Sequence, residues 1–251
     1  MTRPLPETKF NELADALNGL RPNEILSEFK YARLNRLLSS LDGILPYDQY
    51  QILKAIIELH NDKIVDAYRI AQDVLSISET QYVLEQIFYI FDKVFSVRES
   101  LEVLNKIAQI ADKLCINIKE VMPRSTELVL AFNDYNNKIN FDWNLLHAKE
   151  VKNIIDLKTA LDNLQVDREN LNQLNEIVHK ILIGNNVRCI STEYFSMDGE
   201  LLFLFYIDQP LHEITRLNDI LLETCLSENI LDSIYQLSYS YVPYDGVNEI
   251  E

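Results

Sequence analysis

Apolar residues recur every three to four positions over most of this chain as far as residue 184 and again over 211–226, and every second position over 187–208 and 233–242. The first rhythm belongs to helices with one buried face, the second to half-buried strands. Thr8 is placed to cap a first helix over 11–20, closed by Gly19 and Pro22. Asn23 is placed to cap a second over 24–41, with Ile25, Phe29, Leu34, Leu37, Leu38 and Leu41 inward, and Asp42-Gly43 breaks it. A third spans 48–60 on Ile52, Leu53, Ile56, Ile57 and Leu59, and a fourth 63–75 on Ile64, Ala67, Tyr68, Ala71 and Leu75. Ser78 and Gln81 have capping-box spacing ahead of a fifth. That helix carries Val83, Leu84, Ile87, Phe88, Ile90 and Phe91 and is apolar most of the way round, as the buried centre of a bundle should be. Ser96 opens a sixth, with Leu101, Leu104, Ile107, Ala108, Ala111 and Leu114 inward. The punctuation of a tetratricopeptide array is missing, so an irregular bundle or array describes this part better.

Residues 116–146 lose the rhythm. Met122-Pro123-Arg124 is a break, and the polar cluster 133–138 marks a domain boundary: an α-helical domain over 1–142 and an acidic α+β domain over 143–251. The second begins with helices over 144–164 and 167–183, the latter stopped by Gly184. Then the period changes. A strand over 187–195, a turn at Ser196-Met197-Asp198-Gly199 and a strand over 200–208 make a hairpin. Pro210 leads into a helix over 211–226, and a strand over 233–242 sets Tyr235, Leu237, Tyr239 and Tyr241 on one face. The expected fold class is α+β, predominantly α: an N-terminal irregular multi-helix bundle or array followed by a small helix-ββαβ sandwich.

Charge changes the picture more than composition does. With 47% hydrophobic residues and only five glycines, the chain has material for a core of long helices and little for phosphate-binding loops. Its net charge is −16. Residues 1–142 carry 16 basic and 21 acidic groups, and 143–251 carry 7 and 18. The last 67 residues hold twelve carboxylates against Arg188 and Arg216, with no lysine. Clustered acids argue against direct nucleic-acid binding, which needs clustered Lys and Arg. They serve either as a device for solubility or as the surface for a basic partner.

Candidate chemistry is sparse. Glu213, Asp219 and Glu223 fall near one side of the 211–226 helix, with Ile214, Leu217, Leu221 and Cys225 on the other. Glu193, Asp198, Glu200 and Asp208 sit on or beside the hairpin. No spacing among them marks a general acid/base pair. His60, His147, His179 and His212 lack metal-ligand spacing, and no GxSxG or phosphate loop occurs. Cys115, Cys189 and Cys225 form no CxxC, so neither a disulfide framework nor a zinc site is expected, and Cys189 and Cys225 read as small core residues. No metal and no cofactor are called for. The N-terminus has no signal-peptide core and no apolar run would span a membrane, so a cytoplasmic protein is expected. Of the tyrosines, Tyr235 and Tyr239 suit the core, whereas Tyr241 and Tyr244, near the polar tail, suit an interface.

Val187-Arg188-Cys189-Ile190-Ser191, Asp198-Gly199, Leu204-Phe205-Tyr206-Ile207-Asp208 and Tyr241-Val242-Pro243-Tyr244, in a ββαβ order, resemble small acidic bacterial immunity proteins of the colicin and contact-dependent-inhibition kind. The resemblance covers about sixty residues, a quarter of the chain. It implies a non-enzymatic, immunity- or antitoxin-type inhibitor that binds a basic protein, such as a toxin domain, at or beside its active site. Glu193, Asp198, Glu200, Asp208, Glu213, Asp219, Glu223, Tyr241 and Tyr244 are the residues expected to touch that partner. A helical scaffold or adaptor, self-associating through its C-terminal unit, is the alternative.

Overall fold

The computed structural model describes residues 6–123, 126–136, 148–197, 200–230 and 237–244. Helices come first: α1 (Pro6–Asn18), α2 (Glu28–Ser39), α3 (Tyr47–His60), α4 (Ile64–Ile77), α5 (Gln81–Lys93), α6 (Val97–Leu114), α7 (Glu127–Asn136), α8 (Ala148–Asn163) and α9 (Arg168–Gly184). The strands β1 (Cys189–Met197) and β2 (Glu200–Ile207) follow, then α10 (Leu211–Ser227) and β3 (Leu237–Pro243). The fold is predominantly α with a small C-terminal α+β layer, as the rhythm of the sequence implies.

Several local readings change. Thr8 lies inside α1 instead of capping it, and Leu114, expected inward on α6, is exposed. The second helix starts at Glu28, not at 24, because Ser27 takes the capping role and its Oγ accepts the Lys30 N–H at 3.3 Å. Residues 24–26 are instead held in place by α3: the Leu26 N–H donates to the His60 carbonyl at 2.8 Å. Ile25 and Phe29, expected inward, are therefore exposed. The capping box at the start of α5 does not form. Ser78 Oγ donates to Asp48 Oδ2 at 2.7 Å and accepts the Thr80 N–H, while Gln81 Nε2 donates to Glu85. Finally, α7 supplies a helix where the rhythm was lost, and it packs on α8.

The sheet has the order β1-β2-β3. β1 and β2 are antiparallel, while β2 and β3 are parallel and joined through α10. Alternation along β2 buries Leu201, Phe203, Phe205 and Ile207. The two phenylalanine rings meet aromatics of the α5–α6 turn and of α7. Phe95 lies 4.7 Å from Phe205 and Phe132 5.7 Å from Phe203, centroid to centroid. The predicted boundary at 142 lies outside the described residues. Buried side chains on both sides of it, from Leu13 to Tyr241, belong to one hydrophobic cluster.

Candidate functional site

The site expected from the sequence is an acidic surface, so the arrangement of charges decides what it can do. The lysine-free C-terminal stretch has two cations, and the fold removes one from the surface. Arg188 is only 6% exposed. It enters the interior because it precedes β1, whose N-terminal end lies against α3 and the 24–26 segment. Its Nη2 donates to the Glu24 carbonyl at 2.9 Å and its Nη1 to the Leu59 carbonyl at 3.3 Å. Burial pulls its pKa down, opposed by Asp62, Tyr89 and Asp208. The Glu24 carbonyl also accepts from His60 Nδ1 at 2.9 Å. A carbonyl only accepts, so the Glu24 contact calls for the proton on Nδ1 and leaves Nε2 to accept from Tyr89 Oη at 3.5 Å, whereas Arg188 Nη1, 3.3 Å from the same Nδ1, would need that nitrogen as its acceptor. Burial and the nearby Arg188 lower the His60 pKa, which keeps this ring neutral.

A second buried cation lies close by. Lys93 Nζ donates to the Ile190 carbonyl of β1 at 2.6 Å and to Asp92 Oδ2 at 3.3 Å. Burial opposes its charge, but Asp92 and Tyr89 outweigh that and raise its pKa. It is thus an ammonium tie between α5 and the sheet, not a nucleophilic amine. Cys189 and Cys225 are buried, and burial pushes both thiols up to about 11, so neither is a thiolate at neutral pH. A cleft of about 270 Å³ opens beside Lys93, between the α5–α6 junction, α7 and β1. Ser100 lines it, and its buried Oγ has no hydrogen-bond partner among the described residues. Among the described residues no group of His, Cys, Asp and Glu gathers as a metal site, and no helix is long and apolar enough to cross a membrane.

On α10 the expected face forms. Ile214, Leu217, Leu221 and Cys225 are buried, and Asp219 and Glu223, one turn apart, are exposed. No described Lys or Arg lies within ion-pair distance of either. Glu213 is different: half-buried, it holds Arg216 through Nε–H to Oε2 at 2.7 Å. Arg216 Nη2 also reaches Asn185 Oδ1 at 2.9 Å. The remaining acids do not join them on one face. Glu200 and Asp208 bracket β2, which makes them roughly 25 Å apart along an extended chain. Glu193 faces away from the core and accepts from Tyr206 Oη at 2.8 Å, and Asp208 accepts from Asn23 Nδ2 at 3.4 Å. Asp198 lies outside the described residues, as does Tyr235.

Tyr241 is a correction. It was expected at an interface, but it is 1% exposed, packs on Phe205, and donates from Oη to the Val178 carbonyl at 3.3 Å. Parallel pairing with β2 puts it opposite Phe205, on the core face. Tyr239, expected in the core, packs on Phe203 and donates to Asn175 Oδ1 at 2.7 Å. Tyr244 remains half-exposed, its N–H bound to the Ile207 carbonyl. The sequence reading missed a second feature of α10: Leu211, Leu222 and Leu226 are 72%, 54% and 47% exposed. Their signal was present as a second leucine row outside the buried set.

Compared with known proteins, the chain matches no family model, no curated protein and no solved structure.

Proposed function

We propose that this protein is a non-enzymatic binding module, an immunity- or antitoxin-type inhibitor whose acidic C-terminal surface meets a basic partner protein. The observation that supports this is the fate of the two arginines. Arg188 is buried, and Arg216 is held by Glu213 and Asn185. The outward acids of 185–251 therefore have no lysine and no free arginine of their own segment to neutralise them. Such a surface steers a basic protein in and keeps nucleic acid out, which suits the covering of a phosphate-binding cleft. Asp219 and Glu223 are its best-defined members, because they are exposed, one turn apart and without an ion-pair partner among the described residues.

The test is capture from a native lysate with the full chain, repeated with Asp219→Lys/Glu223→Lys. A basic protein retained at about 0.05 M salt, released near 0.5 M and missed by the double variant is the expected result, since the screening length shrinks from about 14 to 4 Å over that range. Retention that ignores both salt and the variant would defeat the reading. A specific observation favours the adaptor alternative: Phe29 is 81% exposed at the start of α2. If Phe29→Ser, and not the α10 variant, abolishes capture, the helical half is the binding surface.

A further inference from the structure

We infer that the outer flank of α10 docks an amphipathic helix with basic edges. The inference rests on the acidic-surface reading and names the partner's element. At 100° per residue, Leu211, Thr215, Leu222 and Leu226 fall within a stripe about 60° wide. The stripe runs between two rows of different character. On one side is Asn218, whose amide clamps the backbone of β3: Nδ2 donates to the Tyr241 carbonyl at 2.9 Å, and Oδ1 accepts the Tyr241 N–H at 2.8 Å. On the other side are Asp219 and Glu223. The leucine row is therefore separate from the core-facing row of Ile214, Leu217, Leu221 and Cys225, and exposed along its length.

Its dimensions and chemistry fit one kind of occupant. From Leu211 to Leu226 the row is about 22 Å long, some four turns. Steps of four, then seven, then four residues between its members keep to the near-3.5 spacing by which two helices pack side by side. A row of leucines this exposed on a helix is a docking stripe rather than a scattered surface residue. The acidic border then sets the sign of the partner: Lys or Arg flanking an apolar seam would meet Asp219 and Glu223. The same border rejects the other occupants. A second copy carries the same net charge of −16 and would set acids against acids. An anionic membrane surface is repelled for the same reason.

The experiment uses the full chain and three labelled 21-residue peptides, read by fluorescence anisotropy. One is a leucine-heptad helix with lysine flanks, the second the same composition scrambled, and the third the heptad helix with glutamate flanks. The lysine-flanked helix should bind at least tenfold more tightly than either other peptide. Leu222→Ala/Leu226→Ala should cut its affinity about tenfold and leave the salt dependence in place. Asp219→Asn/Glu223→Gln should weaken it and flatten the salt dependence. All four positions are exposed, and unchanged circular-dichroism melting will show that the variants are folded. Equal binding of the scrambled peptide would overturn the docking inference and leave the acidic-surface reading standing. Binding of neither basic peptide would overturn both. Tighter binding of the glutamate-flanked helix, or a stable dimer of the chain in sedimentation, would overturn the assignment of a basic occupant.

Discussion

The junction between β1 and the helical bundle and the outer flank of α10 both carry charge, and they use it in opposite ways. At the junction the cations Arg188 and Lys93 are buried beside the neutral ring of His60, and they donate to fixed acceptors: the carbonyls of Glu24, Leu59 and Ile190, and Asp92. On α10, Asp219 and Glu223 are exposed and have no Lys or Arg within ion-pair distance among the described residues. Charge that is buried and satisfied specifies the structure, because losing one partner strands the other in a poorly solvated site. Charge that is exposed and unpaired costs little to keep and is free to meet another molecule. Composition counts both kinds alike. Only position separates them.

That contrast predicts a graded series. The largest effect belongs to the aromatic layer that both regions share: Tyr241→Ala should cost about 3–5 kcal/mol of stability in urea unfolding, since it empties a site packed on Phe205. Tyr241→Phe, which removes only the hydroxyl bound to Val178, should cost about 1 kcal/mol. Next comes the junction. Arg188→Met should destabilise by about 2–4 kcal/mol, because the Leu59 carbonyl loses its donor and Asp62 and Asp208 lose a buried counter-charge. If binding of a basic peptide also disappears while the variant remains folded, the division between structural and available charge fails.

A smaller effect concerns pH. His60 has a lowered pKa in the folded protein, through burial first and Arg188 next. Between its folded value and the unfolded value of about 6.5, the unfolded chain binds the extra proton. The contribution of neutral His60 is therefore complete above about pH 6.5 and is lost as pH falls below it. Unfolding midpoints measured downward from pH 7 should decline, and His60→Gln should flatten that part of the curve. An identical slope in the variant would move the acid sensitivity elsewhere. The smallest stability effect is expected on α10: Asp219→Asn/Glu223→Gln should leave the unfolding midpoint where it is while slowing association with a basic ligand at low salt. A shifted midpoint would mean that these acids belong with the junction, as structural charge.

The helices were legible because their burial follows the 3.6-residue rhythm. Ile52, Leu53, Ile56 and Ile57 of α3 and Ile214, Leu217, Leu221 and Cys225 of α10 are buried as their spacing requires. The hairpin was legible from its two-residue alternation, seen in Leu201, Phe203, Phe205 and Ile207. The start of α2 was not. Asn23 is as good a cap by type as Ser27, and what excludes it is the hold of α3 and Arg188 on residues 24–26, which no local pattern encodes. Tyr241 was misplaced for a related reason: closeness to a polar tail says nothing about which strand it will pair with. The acids were identified one by one, but their scatter over the sheet and α10 was not, because a linear chain carries no distances between its elements.

The sequence by itself determined the class of fold, the buried faces of helices such as α3 and α10 and of β2, and the excess of carboxylates, since each depends on residue type and on neighbours within a few positions. The tertiary structure decided which charges remain on the outside. Burying Arg188 needs the carbonyls of Glu24 and Leu59, more than a hundred residues away, to be brought within hydrogen-bond reach. Exposing Leu222 and Leu226 needs the buried face of α10 to be filled already by Ile214, Leu217, Leu221 and Cys225, so that the second leucine row is turned outward beside the acids.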